Sequence, residues 1–502
     1  IKINARQHRY IIYLDSKTTA SHHLLRCCSE LPQKWNEEFD VVVIGSGFAG
    51  LAAAIEAKHA GASVTILEKM KYCGGNSLIS DGLVAAAYSV FQKKHKIQDS
   101  PEVMQDDMVK AGLGLNHPDL VRTLAEKSKE ALQWSMDCIG VEYVDRVDQL
   151  GGHSVPRTLT VKGHSSFHTG AFLFRMMMGV VKKLGIEVRT QMYLEKLLKD
   201  ENGGIRGVQI RQGYVFPESE RRTVTFLQVK KGVVLATGGF SSDVDFRSTQ
   251  DPRLTADVES TNRKAATAEA LIEALRIGAT PLQLSWIQLG PWASPDEKGS
   301  GVGSSFASVS IFPYGIIIDP KTGRRFVKES ADRKIRADAI LKIGRPSIGI
   351  TDAQGAKSGK HMLDRCLKKK VLKAFHNLED LSDSYKIPSE ELQDTVEKFN
   401  SYVKNKRDIE FGKTILPDAQ PLIHPPFYAI RLWPKVHHTM GGIQINKNAR
   451  VIGLNKQPIK QLYAAGEVTG GIHGACRLGS CAIIDCLVFG RIAGMNAALN
   501  YT

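Results

Sequence analysis

The sequence predicts an α/β chain built on a parallel nucleotide-binding sheet. Three stretches carry that prediction: a strand–turn–helix–strand unit over 40–69, a strand running into glycines over 232–240, and another over 462–467. In the first, Val41 to Ile44 is a continuous β-branched run, the pattern of a parallel strand buried on both faces. Gly45, Gly47 and Gly50 follow as G-x-G-x-x-G at the opening of an Ala-rich helix. Gly45 permits the tight turn, Gly47 lets a pyrophosphate approach the backbone, and Gly50 lets the helix lie close on the sheet, so the free N–H groups of the first helical turn face the phosphates. Glu68 ends the second strand about twenty residues on, where an acid accepts hydrogen bonds from a ribose diol.

The remaining elements follow in chain order. Residues 1–37 are basic, lack the progression of a secretory signal, and read as a lead-in or the remnant of a longer chain whose upstream part carries a signal, a haem domain or a flavin domain. After the βαβ unit, Gly74, Gly75, Asn76 and Ser77, then Gly82, form turns where a flat cofactor can lie against the main chain. Ser100-Pro101 and Asn116-His117-Pro118 are helix starts, and Leu120, Leu124, Ala131 and Leu132 supply an apolar stripe on the second helix. A buried helix is predicted over 170–184, then a strand and a hairpin-like region to Val229 with the turn at 201–204. Thr237, Gly238 and Gly239 repeat the strand-then-glycine design. Gly466 and Glu467 do so once more, before a glycine-dense loop and a last helix over 482–500.

Composition narrows the class. The 502 residues, 42% hydrophobic, suffice for a large core divided into two or three domains. The formal charge of +15 is spread along the chain rather than gathered into a basic block, which argues against nucleic acid as the partner and fits an anionic substrate or an acidic redox partner. No run approaches the roughly eighteen apolar residues that span a bilayer. The eight cysteines have neither metal spacing nor a C-x-x-C-H haem attachment, so no metal site is expected and a reducing, cytoplasmic compartment is favoured.

GSGFAG, GGNS, ATGGF, TGRRFVKESADRKIRADAIL, HHTMGG and AAGEVTGGIHGACRLGSCAI, in this order, resemble the flavoprotein family of fumarate reductases, which includes soluble flavocytochrome fumarate reductases and urocanate reductase. The resemblance covers nearly everything from residue 38 and implies a Rossmann-like FAD-binding domain split in sequence (38–286 and 417–502) with an inserted α+β capping domain (287–416). FAD is expected non-covalently, Cys73 being the one tethering candidate. Glu467 is implied to reach the ribityl or ribose portion, and Ser480, Ala482 and Ile483, at the start of the last helix, to face the flavin. Arg333 aligns with the family's proton donor, although a guanidinium with a pKa above 12 needs a preorganised site for that role. His437 and Arg477 align with residues that bind and polarise a substrate carboxylate, with Gly442 beside them.

Departures from the fumarate pattern shape the expected substrate. Gly290 stands where a histidine would bind a second carboxylate, and Ala307, Ser308 and Ile311 stand where a Thr-Glu pair and a relay arginine are found. Asp332, Asp296 and Glu297 are substitutes for the lost proton relay. Trp292, Phe306 and Tyr314 form an aromatic set suited to a flat ring, or ordinary core. The expected activity is reduction of the C=C bond of an α,β-unsaturated carboxylate, with an aryl or heteroaryl acrylate such as urocanate or cinnamate ahead of fumarate. A ketosteroid-type flavin dehydrogenase and an electron-transfer flavoprotein are the alternatives; neither needs the anion site of HHTMGG and GACRLG. The electron donor implied by the resemblance is a separate cytochrome or flavin-bearing protein or domain.

Overall fold

The computed structural model describes residues 31–163, 169–217 and 223–500, so most of the basic lead-in lies outside the described residues. At the centre is the strand Glu37–Ile44, whose Val41, Val42 and Val43 have no solvent exposure. It pairs in parallel with Val64–Leu67 on one side and Thr223–Leu235 on the other. The order across the sheet is Arg450–Ile452, Pro458–Ala464, Thr223–Leu235, Glu37–Ile44, Val64–Leu67, Glu187–Arg189. The N-terminal half of Thr223–Leu235 continues into an antiparallel meander with Ile205–Gln212 and Met192–Lys199, the hairpin expected from its turn.

Register decides where the site lies. Ile44 is level with Leu67 and Leu235, and Leu235 is level with Ala464. Four parallel strands therefore end together, and Gly45, Glu68, Gly238 and Glu467 all emerge along one carboxyl edge, the usual place for a ligand in an open α/β sheet.

The helices fall where their signals stand. Pro101–Ala111 is capped by Ser100, whose side chain accepts from the Val103 N–H at 3.3 Å, and Pro118–Asp137 buries the expected Leu120, Leu124, Ala131 and Leu132. The last helix is Cys481–Leu499. It is long and apolar enough to cross a membrane, but most of it is buried in the fold. Gly494 permits this: a Cβ there would sit 2.0 Å from the Ala53 carbonyl oxygen on the helix Phe48–His59.

A second sheet is antiparallel, in the order Arg324–Arg325, Ile316–Asp319, Ser347–Thr351, Phe427–Leu432, Leu372–Phe375. It has its own apolar clusters, one around Phe306, Ile311, Phe312 and Cys366, the other around Ile350, Leu392 and Phe399. The strand Phe427–Leu432 pairs on both sides within this sheet, so the boundary expected at 416 falls inside the unit, which runs on to Leu432. The boundary was misplaced because a fully buried strand reads alike whichever sheet it joins.

The two units meet at a two-stranded antiparallel sheet, Ile287–Gly290 with Lys435–Thr439. Gln288 faces His438 and Leu289 faces Val436, which leaves His437 as the extra residue of a bulge. Bulges re-aim side chains, and this one turns an imidazole at the junction.

Candidate active site

A cavity of about 720 Å³ runs along the carboxyl edge of the parallel sheet. Gly45, Gly47, Glu68, Gly74, Gly75, Asn76, Ser77, Thr237, Gly238, Gly239, Gly466 and Glu467, all expected at the cofactor, line it. Its walls fit an extended dinucleotide. Gly45 has φ +104°, and a Cβ there would meet the Ala236 carbonyl oxygen at 2.3 Å; one on Gly239 would meet Thr439 Oγ1 at 2.1 Å and Glu467 Oε1 at 2.4 Å. The helix Phe48–His59 starts at Gly47 with no side-chain cap, so its first-turn N–H groups are available to a phosphate, while Ser77 Oγ accepts from the Phe48 N–H at 3.0 Å. Glu68 Oε1 accepts from the Met70 N–H at 2.9 Å, and its Oε2 accepts from Ser46. With the Ser46 N–H and hydroxyl and the Met70 N–H already bound, about one of the four acceptor sites is left for a ribose hydroxyl. Cys73 lines the same cavity, its thiol pushed up in pKa chiefly by burial.

Five expected cofactor residues stand elsewhere. Gly50 serves helix packing, as a Cβ there would lie 2.0 Å from the Gly45 carbonyl oxygen. Gly82 likewise makes room for Thr169, whose Oγ1 would be 2.2 Å from its Cβ. Ser480, Ala482 and Ile483 sit at the start of the last helix, outside this cavity's walls. Ser480 has φ +62° and its hydroxyl shares a hydrogen bond with Thr158 Oγ1 at 2.7 Å.

At the Glu467 end of the cavity, Glu467 Oε1 accepts from the Thr439 N–H at 2.9 Å and from its hydroxyl at 3.2 Å, and burial raises the carboxyl pKa to about 7. Next to it, Arg333, His437 and Arg477 converge. Arg333 is the first residue of the helix Arg333–Ile343, which Asp332 caps by accepting from the Ile335 N–H at 3.0 Å. Its Nη1 donates to Gln288 Oε1 at 3.1 Å, and its guanidinium lies over the Trp292 ring, 4.5 Å from Cζ to the centroid. The His437 ring also meets Trp292, in a T-shaped contact at 5.1 Å and 80°, with Nδ1 2.8 Å from Thr261 Oγ1. Burial first, then the neighbouring Arg333 and Arg477, hold the His437 pKa well below the usual histidine range. The imidazole is therefore neutral. Arg477 is 5% exposed; its Nη1 donates to the Leu478 carbonyl at 2.8 Å, and its Nε has no partner. A buried guanidinium with a free donor, beside a neutral imidazole and a second guanidinium, makes an anion site.

Gln288 ties this cluster together, and sequence reading missed it. Its Oε1 accepts from Arg333, while its Nε2 donates to the Arg477 carbonyl at 2.9 Å. A lone glutamine in a short strand has no signal until its partners are known. Two expected substrate residues do not reach the cluster. Phe306 is wholly buried in the capping core, where a Cβ on Gly359 would touch its ring at 2.8 Å. Tyr314 donates its hydroxyl to Asp418 at 3.0 Å on the far side of the second sheet's core. Gly442 is a packing residue, for a Cβ there would lie 2.1 Å from the Val468 carbonyl oxygen. The substitutes named for the proton relay are occupied as well: Asp296 pairs with Arg431 at 2.7 Å, Glu297 accepts from the Val302 and Gly303 N–H groups, and Asp332 is the helix cap.

The family described as FAD binding domain matches residues 40–483. The chain is 43% identical over 468 residues to an acrylate reductase flavoprotein subunit of Shewanella woodyi, covering 92% of this chain and 91% of that protein. It is 35% identical over 467 residues to a fumarate reductase (cytochrome) of Shewanella frigidimarina, covering 92% and 77%. Among solved structures, the open conformation of a flavocytochrome c3 fumarate reductase superposes with a TM-score of 0.76 at 32% identity, over 93% of this chain and 79% of that one.

Proposed function

Since the chain belongs to the FAD-binding flavoprotein family of fumarate reductases, we propose that it reduces the C=C bond of a short α,β-unsaturated monocarboxylate of the acrylate class. The observation that carries the substrate size is Trp292. A Cβ on Gly290 would lie 3.2 Å from the Trp292 indole, so the indole fills the space over this glycine while it stacks under the Arg333 guanidinium and meets the His437 ring. Of the three aromatics expected to cradle a planar substituent, two belong to the core and the third occupies the room that a substituent would need. A second carboxylate fares no better. Gly290 and Ile311 offer it nothing, and the Ser308 hydroxyl donates to the Ser304 carbonyl at 2.9 Å. Burying an unpaired carboxylate costs several kcal/mol, which disfavours fumarate. The 43% identity to an acrylate reductase subunit supports the same reading.

FAD, held along the cavity by the Gly45–Gly47 turn, Glu68, the Gly74–Ser77 turn and Glu467, would supply the hydride that reduces the C=C bond. Arg477 and His437 hold the substrate carboxylate and stabilise the charge that grows on it. To donate to the carboxylate a neutral His437 must carry its proton on Nε2, the tautomer in which Nδ1 accepts from the Thr261 hydroxyl at 2.8 Å. Arg333, held by Gln288 and Trp292, delivers a proton to the α-carbon. Electrons are assigned to a separate cytochrome or flavin-bearing donor, in keeping with the cytochrome in the name of the Shewanella frigidimarina relative.

The test is anaerobic reoxidation of the dithionite-reduced holoenzyme by acrylate, crotonate, fumarate, urocanate and cinnamate at matched concentration. Acrylate is expected to be fastest by at least about tenfold, the discrimination that a filled pocket typically gives. Equal or faster reoxidation by urocanate or cinnamate restores the aromatic-substrate reading, and by fumarate the dicarboxylate one.

A further inference from the structure

Arg336 follows Arg333 by three residues on the helix Arg333–Ile343, a spacing that sets both side chains on one face, about 5–6 Å apart at Cβ. It is 8% exposed. Its guanidinium lies over the Phe312 ring, 4.1 Å from Cζ to the centroid, and its Nε donates to the Asp332 carbonyl at 3.4 Å. Among the described residues no carboxylate forms an ion pair with it; Asp332 and Glu329 favour its charged form only from a longer range. Outside the anion site the other buried arginines are compensated: Arg157 by Asp99 and Asp107, Arg325 by Glu329 and Asp408, Arg247 by backbone carbonyls. An unpaired buried guanidinium is costly to keep, and its position beside Arg333 suggests what it does there.

The charged and titratable groups facing Arg333 come from several elements. Arg477, Cys476 and Cys481 approach from the loop and helix at the C-terminal end, His437 from the junction strand, His153 from the loop before Arg157, and Arg336 from its own helix. Only Arg477 and Arg336 bring a like charge, since His437 and His153 are neutral. A bound carboxylate compensates Arg477, and Arg336 then remains as the positive neighbour. Burial lowers the Arg336 pKa to about 10, which leaves it charged at neutral pH.

We propose that Arg336 is a positioning residue for the reaction, its charge, held in no ion pair and set beside Arg333, keeping that guanidinium ready to release a proton once substrate is bound. The proposal rests on Arg333 as the proton donor. One proton passes from Arg333 to the α-carbon and one returns to Arg333 from solvent, while Arg336 keeps its own throughout. A nearby like charge disfavours the charged form, so neutralising position 336 raises the Arg333 pKa and makes it the weaker acid.

The experiment compares Arg336→Met and Arg336→Lys as holoenzymes. Arg336→Met keeps an unbranched apolar arm over Phe312. It is expected to lower kcat for acrylate by about tenfold with KM within about threefold, the pattern of a weakened general acid. Binding of propionate, followed by the change in flavin absorbance, is lost at high pH as Arg333 deprotonates; this limb should move up by about one pH unit in Arg336→Met. Arg336→Lys should restore most of both. An unchanged kcat, a loss confined to KM, or an unmoved limb with Arg336→Lys as defective as Arg336→Met would each overturn the proposal. A wild type that no unsaturated acid reoxidises sinks the reductase reading instead, and the propionate limb still reports whether the two arginines are coupled.

Discussion

Trp292 is 8% exposed, and its indole touches both the Arg333 guanidinium and the His437 ring; in the proposed function it stands in the way of a β-substituent on the substrate. Truncation to alanine removes that obstacle. Trp292→Ala is therefore expected to raise kcat/KM for cinnamate relative to acrylate by at least about tenfold, measured as steady-state rates with a reduced viologen donor. If the ratio stays put, the indole does not set substrate size. At this scale the sequence was informative only where motif context surrounded a residue. Arg333, His437 and Arg477 stood inside long matching segments, and they converge. Phe306, Tyr314 and Trp292 did not, because an aromatic in an apolar stretch has the same local pattern whether it fills a core or lines a pocket. Only the fold separates them.

Individual elements carry the proposed catalytic groups through their ends and irregularities. Arg333 occupies the first position of its helix, and its direction is set by the cap that Asp332 makes to the Ile335 N–H. Asp332→Ala removes the cap and should cost about 1 kcal/mol in stability together with a fall in kcat, whereas Asp332→Asn keeps a capping oxygen and should retain most of both. The comparison also examines Asp332 as a proton carrier, since asparagine cannot titrate: chemical denaturation with kcat for each variant decides it, and a large kcat loss in Asp332→Asn alone would return Asp332 to the relay. The βαβ unit was legible to within a residue or two because its period, glycines and acid agree. The bulge at His437 was not. It arises from the pairing of Lys435–Thr439 with a strand about 150 residues away, which no local pattern encodes.

Across the whole molecule, the nucleotide edge of the parallel sheet was readable because each strand announces its glycine turn, while the junction between sheets was not, Phe427–Leu432 being an apolar run that either sheet accepts. Within the nucleotide-binding unit, a buried polar chain ties the start of the last helix to the segments around Asp99, Asp107 and His153. Arg157, without solvent exposure, pairs with Asp99 and Asp107 and donates to His153 Nδ1 at 2.9 Å, and His153 Nε2 donates to the Gly479 carbonyl at 2.8 Å, just before the last helix. Because arginine only donates, Nδ1 must accept and the proton sits on Nε2. Burial, opposed by the bond to Gly479 and aided by the Arg157 charge, lowers the His153 pKa from 6.5 to about 4. A depressed folded pKa means that the unfolded chain binds more protons between those values, so the stability linked to His153 is complete above about pH 6.5 and lost as pH falls towards 4. The loss amounts to about 3 kcal/mol over that window. Glutamine at 153 can donate to Gly479 and accept from Arg157 without titrating. His153→Gln should thus be somewhat less stable than wild type at pH 7, from poorer packing, and should gain on it steadily below pH 6.5, so that the two unfolding midpoints converge or cross near pH 4–5 in urea titrations. Parallel curves across this range would show that His153 takes up no proton on unfolding and that the assigned tautomer chain is not what ties the last helix to the site.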